Sequence, residues 1–361
     1  MATSRAWRVA HVIGQLTRGG AERQLALLVR QLDRGRFKPI VYCLSSATEP
    51  FGSEIVASGV PLKVLVGSPV QRVRRLRAQL AADNIDLVHA WLYRANAYAG
   101  CAHMFDRSRP LITSARNCKV QLRCANALAF RSSRAIVANS QVVAAYIVRH
   151  YRAPRAPIRV IYNAIDTAYF RPCPTGESPR LPGPIVSIGR LVPQKNHALF
   201  LEAAGQLARL CPEAEFMIVG DGPLRPVLET QASALGLNGR VTFTGERDDI
   251  DAILRAASLF WLTSRWEGMP NVVLEAMASG VPVIATDVAG VRELLHPGIE
   301  GFIVPAGEVG GFVEHSRRLL RDAGLRQRFR AAARERAEDF SAARMVNAWT
   351  QLYDELLGRR N

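Results

Sequence analysis

From residue 8 onward, short apolar runs alternate with stretches in which apolar residues recur every third or fourth position. RVAHVI (8–13) and PIVYCLS (39–45) read as buried strands, and AERQLALLVRQL (21–32) between them has helical spacing. PLKVLV (61–66), DLVHAW (86–91), LITSA (111–115), AIVANS (135–140) and IRVIYNA (158–164) continue the strand series, with helices in the gaps. Residues 169–184, YFRPCPTGESPRLPGP, break the pattern with five prolines and no period, which marks a linker. The alternation restarts with IVSIGRL (185–191), EFMIVGDG (215–222), RVTFTGE (240–246), ASLFWLTS (257–264) and VPVIATD (281–287), and 312–361 is helical. Strands that are apolar throughout, alternating with helices, imply parallel sheets covered on both faces. The expectation is an α/β chain of two doubly wound, Rossmann-like domains, 1–168 and 185–361, with the last helix packing back on the first. Ligands in such sheets bind at the carboxyl ends of the strands, so a facing pair places the site in a central cleft.

Length and charge refine this picture. A chain of 361 residues suits two ordinary domains, and 48% hydrophobic residues suffice for two cores. No apolar run approaches the roughly 18 residues of a membrane-spanning helix. The opening MATSRAWRVAHVIGQL has a short apolar run interrupted by His11 and reads as a first strand, not a signal peptide. Cysteines 43, 101, 118, 124, 173 and 211 form no CxxC pair or metal-site spacing, which fits small buried residues in a reducing compartment. Residues 1–170 carry 25 Lys/Arg against 8 Asp/Glu, a net +17, while 171–361 carry 22 against 23. Nucleic acid and an anionic membrane both suit such a field. No nucleic-acid motif or aromatic–basic interleaving is present, which favours the membrane. QRVRRLRAQL (71–80) reads as a helix with Val73, Leu76 and Leu80 on one side. Its arginines 72, 74, 75 and 77 are then free for solvent or for anionic head groups.

The candidate chemistry lies in loops. Glu267 sits in a Gly/Pro turn, and Glu275 in the first turns of a helix starting near Pro270 or Asn271, within WEGMPNVVLEAMASGVPVIAT (266–286). Carboxylates accept from sugar hydroxyls, and a helix N-terminus attracts phosphate. Arg190 and Lys195, in GRLVPQK (189–195), are two cations at a strand end, suited to a diphosphate leaving group. Gly19 and Gly20, in GQLTRGGAE (14–22), permit close backbone approach to a phosphate. His89 stands at a strand end in DLVHAWLYRAN (86–96), and Ser140 and Asn163–Asp166 stand at the next strand ends. Asp249 and Asp251 form a DxD pattern, but in GERDDIDAILRAAS they suit a helix N-terminus better than a metal.

These segments resemble the family 4 retaining glycosyltransferases of the GT-B fold, glycosyltransferase group 1. The 266–286 segment resembles the family's E-x7-E signature, GRLVPQKN its donor-phosphate loop, GGAE its loop at the donor–acceptor junction, and the segment around His89 its acceptor-domain H-A loop. NAID (163–166) and VAG (288–290) depart mildly from the usual N-G-(I/V)-D and G-G. The resemblance implies that Glu267 and the backbone of Gly268, Met269, Asn271 and Val272 meet the transferred sugar, and that Glu275 binds the ribose. It implies that Arg190 and Lys195 hold the diphosphate, that His89 lies near the transferred sugar, that Gly19 and Gly20 lie at the donor–acceptor junction, and that Ser140 and Asn163–Asp166 lie near the domain junction. The expected catalytic residues are Glu267, Arg190, Lys195 and His89. Arg190, Lys195 and Glu267, with Gly19, Gly20, Gly268, Met269, Asn271, Val272, Glu275 and Asn163, are expected to bind a UDP- or GDP-sugar, with no metal and no other cofactor. A lipid-linked saccharide or polysaccharide acceptor is expected, at the cytoplasmic face of an anionic inner membrane. A nucleotide-sugar epimerase or hydrolase on the same fold is the alternative within this reading. A basic nucleic-acid-binding protein is the alternative outside it.

Overall fold

The computed structural model describes residues 5–118, 122–151, 156–173 and 183–358. They form two compact units, divided at Ala164/Ile165 and again at Ser341/Ala342. The first boundary falls earlier than the expected 168. Of the expected linker, 174–182 lie outside the described residues, and the remainder belongs to the second unit.

The first unit is a parallel sheet of β1 (Trp7–Ile13), β2 (Phe37–Cys43), β3 (Leu62–Val64), β4 (Leu87–Trp91), β5 (Leu111–Ala115), β6 (Ala135–Ala138) and β7 (Ile158–Val160). Their spatial order is β3-β2-β1-β4-β5-β6-β7. The helices between them are α1 (Gly20–Gln31), α2 (Phe51–Ala57), α3 (Pro69–Ala82), α4 (Leu92–Phe105), α5 (Arg123–Ser132) and α6 (Gln141–His150). Strand alternation splits the core. Val9 and Ile13 of β1 pack on the α1 side with Leu25, Leu28 and Val29, while Ala10 and Val12 pack with Leu76, Leu80, Ala95 and Ala99. Each fully buried leucine of α1 contributes roughly 1.5–3 kcal/mol by leaving water.

The second unit holds β8 (Ile185–Ile188), β9 (Phe216–Val219), β10 (Val241–Phe243), β11 (Leu259–Leu262), β12 (Val283–Thr286) and β13 (Gly301–Val304), ordered β10-β9-β8-β11-β12-β13 and parallel throughout. Its helices are α7 (His197–Leu210), α8 (Arg225–Ala234), α9 (Ile250–Ala256), α10 (Asn271–Ala278), α11 (Val309–Arg321) and α12 (Ala323–Glu338). That order is the doubly wound one, with its switch point between β8 and β11. The last helix, α13 (Ala342–Leu357), belongs to the first unit, where Met345, Trp349, Leu352 and Tyr353 join the α1-side core.

Several expected strands end early. The runs 185–191, 215–222 and 257–264 stop as strands at Ile188, Val219 and Leu262, because glycine turns or polar side chains take over there. Those tails become the loops at the strand ends. Strand β13, four residues starting at a glycine, has too short an apolar run to have been expected.

Candidate functional site

In the second unit the carboxyl ends of β8 and β11 bring three sequence-predicted residues into one network or beside it. Lys195 Nζ donates to Glu267 Oε1 at 2.8 Å, and Ser264 Oγ donates to the same oxygen at 2.8 Å. Gln194 Nε2 reaches Glu267 Oε2 at 3.4 Å and the Trp266 carbonyl at 3.0 Å. Thr263 Oγ1 donates to the Lys195 carbonyl, and Arg265 N to the Gln194 carbonyl, so the two loops are stitched through their backbones. The ion pair is mostly sheltered, with side-chain exposures of 18% for Lys195 and 10% for Glu267. Arg190, on the same loop, is exposed, and its guanidinium makes no hydrogen bond or ion pair among the described residues. One fixed cation–carboxylate pair thus stands beside one unengaged cation, at the end of the sheet where ligands bind.

Close backbone contacts hold this arrangement. A Cβ on Gly220 (φ +130°) would lie 2.2 Å from the Gly189 carbonyl oxygen, and one on Gly290 would lie 2.2 Å from the Gly268 carbonyl oxygen. Gly290, in the VAG segment, therefore sets how near the β12 loop comes to the Gly268–Met269 backbone. That backbone leads into α10, whose N-cap is Pro270 and which has no side-chain cap. Asn271 and Val272 open the helix, and Glu275 follows one turn later, 1% exposed. His197, first residue of α7, is buried; burial and then the Lys195 charge push its pKa down to about 4. Gln194, Ser264, Gly220 and Gly290 were given no role by the sequence reading, although Gln194 lies in GRLVPQK and Gly290 in VAG. Proximity to Lys195 and Glu267 was the only available signal for the first two. Asp249 and Asp251 are engaged by arginines: Arg247 on Asp249 at 2.6 and 2.8 Å, Arg255 on Asp251 at 2.7 Å.

In the first unit Gly19 is the N-cap of α1, and a Cβ there would meet Glu22 Oε2 at 2.2 Å. The Glu22 carboxylate is thus folded back over the helix start, where a side chain at position 19 would displace it, and Gly20 opens the helix. His89 is corrected by the structure. It stands in the middle of β4, not at its end, and is fully buried. Its Nδ1 lies 2.9 Å from Tyr353 Oη and its Nε2 2.8 Å from Ser114 Oγ, and its ring packs 4.3 Å from that of Trp349. Both nitrogens are engaged, and burial lowers its pKa well below the usual histidine value. It acts as a core residue that anchors α13 to the sheet. Ser140 caps α6 by accepting from Val143 N at 3.2 Å. Asn163 is buried after β7 and accepts from Arg116 Nη1 at 2.6 Å and from Asn139 Nδ2 at 3.3 Å. Asp166 belongs to the second unit and caps the turn at Ala168 and Tyr169.

Known proteins resemble both halves. The family model described as Glycosyltransferase Family 4 matches residues 18–169, and that described as Glycosyl transferases group 1 matches residues 181–336. An alpha-D-kanosaminyltransferase of Streptomyces kanamyceticus is 37% identical over 40% of this chain and 38% of its own. A UDP-Gal:alpha-D-GlcNAc-diphosphoundecaprenol alpha-1,3-galactosyltransferase of Escherichia coli is 32% identical over 47% of this chain and 45% of its own. A lipopolysaccharide core biosynthesis glycosyltransferase of Rhizobium meliloti is 30% identical over 62% and 65%. The chain thus matches less than two thirds of the length of each of these relatives. Among solved structures, the Anabaena protein Alr3699/HepE in complex with UDP-glucose superposes with a TM-score of 0.85. It covers 97% of this chain and 100% of its own at 23% identity, a likeness of fold. With one model on each parallel sheet and curated transferases alongside them, the chain belongs to the family 4, group 1 glycosyltransferases of the GT-B fold.

Proposed function

We propose that this protein is a retaining, metal-independent hexosyltransferase that moves a sugar from a nucleotide diphosphate to a hydroxyl of a lipid-linked saccharide or polysaccharide. The observation that carries the reading is the Lys195–Glu267 pair with Arg190 unengaged beside it, at the switch point of the second sheet. Arg190 and Lys195 take the diphosphate, whose negative charge grows as the glycosidic bond breaks. The N-terminus of α10 adds its dipole. Glu275 takes the ribose hydroxyls. Glu267, oriented by Lys195 and Ser264, meets the sugar, with the backbone of Gly268, Met269, Asn271 and Val272 beside it. Pro270 contributes no N–H. Uridine is favoured, since the Anabaena neighbour was solved with UDP-glucose and the Escherichia coli relative is named for UDP-Gal.

The anomeric carbon passes through an oxocarbenium-like state. The leaving phosphate oxygen takes the acceptor proton on the face it departs from, which retains configuration without an enzyme nucleophile. Acceptor recognition falls to the first unit. The net +17 of residues 1–170 and the exposed arginines 74, 75 and 77 of α3, near exposed Val70 and Val66, suit an anionic membrane at the cytoplasmic face. No helix among the described residues is long and apolar enough to cross a membrane.

Incubation with UDP-hexoses and an undecaprenol-diphosphate-linked sugar tests the reading. The expected product is a disaccharide with the donor's anomeric configuration. Inversion would overturn retention, and acceptor-independent release of free sugar or of an epimerised donor would overturn transfer. Flotation with vesicles containing phosphatidylglycerol should capture the protein. Replacing arginines 74, 75 and 77 by glutamate should release it. Equal binding by both forms would remove α3 from the membrane surface.

A further inference from the structure

Arg116 follows β5 directly and is 8% exposed. Its guanidinium carbon lies 4.4 Å from the Trp91 ring centroid, which fixes the plane of the group. Asn139 follows β6, and Asn163 stands beyond the end of β7. Arg116 Nη1 and Asn139 Nδ2 both donate to Asn163 Oδ1. Three neighbouring strand ends therefore converge on one amide oxygen.

The cluster is internally incomplete. Arg116 Nε and Asn139 Oδ1 are buried and have no hydrogen-bond partner among the described residues. Glu22 acts on Arg116 through its field without a hydrogen bond. The histidines behind the cluster are held neutral by burial. Burial lowers the Arg116 pKa only to about 9, so the side chain stays a cation at neutral pH. A buried cation with no bonded counter-ion, next to an unsatisfied acceptor, is strongly penalised unless a ligand completes it. Helix α6 begins just after Asn139 and adds the positive end of its dipole. An unpartnered Nε–H on a flat, fixed guanidinium matches a phosphate oxygen. The unpartnered amide oxygen matches a neighbouring hydroxyl.

We propose that Arg116 and Asn139, positioned by Asn163 and Trp91, bind a phosphate ester carried by the acceptor, with Asn139 accepting from an adjacent hydroxyl. This rests on the reading that the first unit receives the acceptor. The same chemistry occurs in the donor's diphosphate, so the test separates the two sources.

The test follows the Arg116 Nε–H resonance in the full chain labelled at arginine, identified by its loss in Arg116→Lys. Inorganic phosphate is titrated against chloride at matched ionic strength, with and without saturating UDP. The expected result is a saturable shift with phosphate and none with chloride, the same whether or not UDP is present. Melting temperatures of the same samples should show a phosphate effect in the parent chain. In Arg116→Lys it should need roughly tenfold more phosphate, since lysine keeps the charge but has no Nε–H fork. An unmoved resonance overturns the site. A shift that UDP itself produces, and that phosphate then cannot add to, assigns Arg116 to the donor and overturns the acceptor assignment. Whether UDP alone raises the melting temperature is read independently and bears on the transferase reading, not on Arg116.

Discussion

Lys195 and Glu267 stand 72 positions apart in the chain and meet at 2.8 Å, with Ser264 donating to the same carboxylate oxygen. The pair makes two residues with separate expected roles into one unit. In the proposed reading, the cation assigned to the diphosphate also fixes the carboxylate assigned to the sugar. Lys195→Ala should lower kcat/KM roughly 100- to 1,000-fold, as loss of a preorganised charge does. Glu267→Gln should keep the Ser264 contact and the fold, and lose turnover with little change in nucleotide affinity. Steady-state kinetics beside calorimetric UDP binding checks both. Parental turnover in either variant contradicts the pair's role.

Gly290→Ala should damage both stability and donor use. Its Cβ would lie 2.2 Å from a backbone oxygen of Gly268, so the Gly268–Met269 backbone, assigned above to the sugar, must move. Overpacking of this kind costs about 1–3 kcal/mol. Gly310→Ala, in α11 with nothing within 4 Å, is the control and should be neutral or mildly stabilising. Equal melting temperatures and donor KM for the two variants would contradict the contact.

Acid should destabilise the first unit before its carboxylates protonate. His11 is pushed down to about 3 by burial and then by the Arg34 charge, and His89 is lowered well below its usual value. Both are neutral when folded, whereas in the unfolded chain they protonate near pH 6.5. The unfolded state therefore binds more protons below that pH, so stability is full above it and falls as pH drops toward about 3. His11 alone should remove about 2 kcal/mol between pH 6.5 and 5, and His89 acts in the same direction. Urea unfolding at about pH 7.5 and about pH 5 reads this. An unchanged midpoint would show that the pair is solvated.

Much of this was legible in the chain. Apolar runs separated by helical spacing imply parallel sheets, and both appear. Glu267, Glu275, Arg190 and Lys195 stand out because a turn, a helix start and a strand end follow from local residue chemistry. What was not legible depends on contact between distant segments. His89 looked like a strand-end residue near a ligand because its burial comes from Trp349 and Tyr353, more than 250 positions away in sequence. Gly220 and Gly290 look like ordinary turn glycines until the opposing carbonyl is seen. Arg116 is one of many arginines in a basic half, and only its burial and its unmatched Nε single it out.

The central claim is that the second sheet holds a nucleoside diphosphate through Arg190, Lys195 and Glu275. Thermal unfolding with UDP, GDP, ADP and dTDP, in the parent chain and in Glu275→Ala, tests it most directly. One nucleotide, UDP by this account, should stabilise the parent by about 2.7 kcal/mol at 100 times its dissociation constant. Glu275→Ala should fold and lose most of that effect. Stabilisation by none of the four, or equal stabilisation of both proteins, would contradict the account.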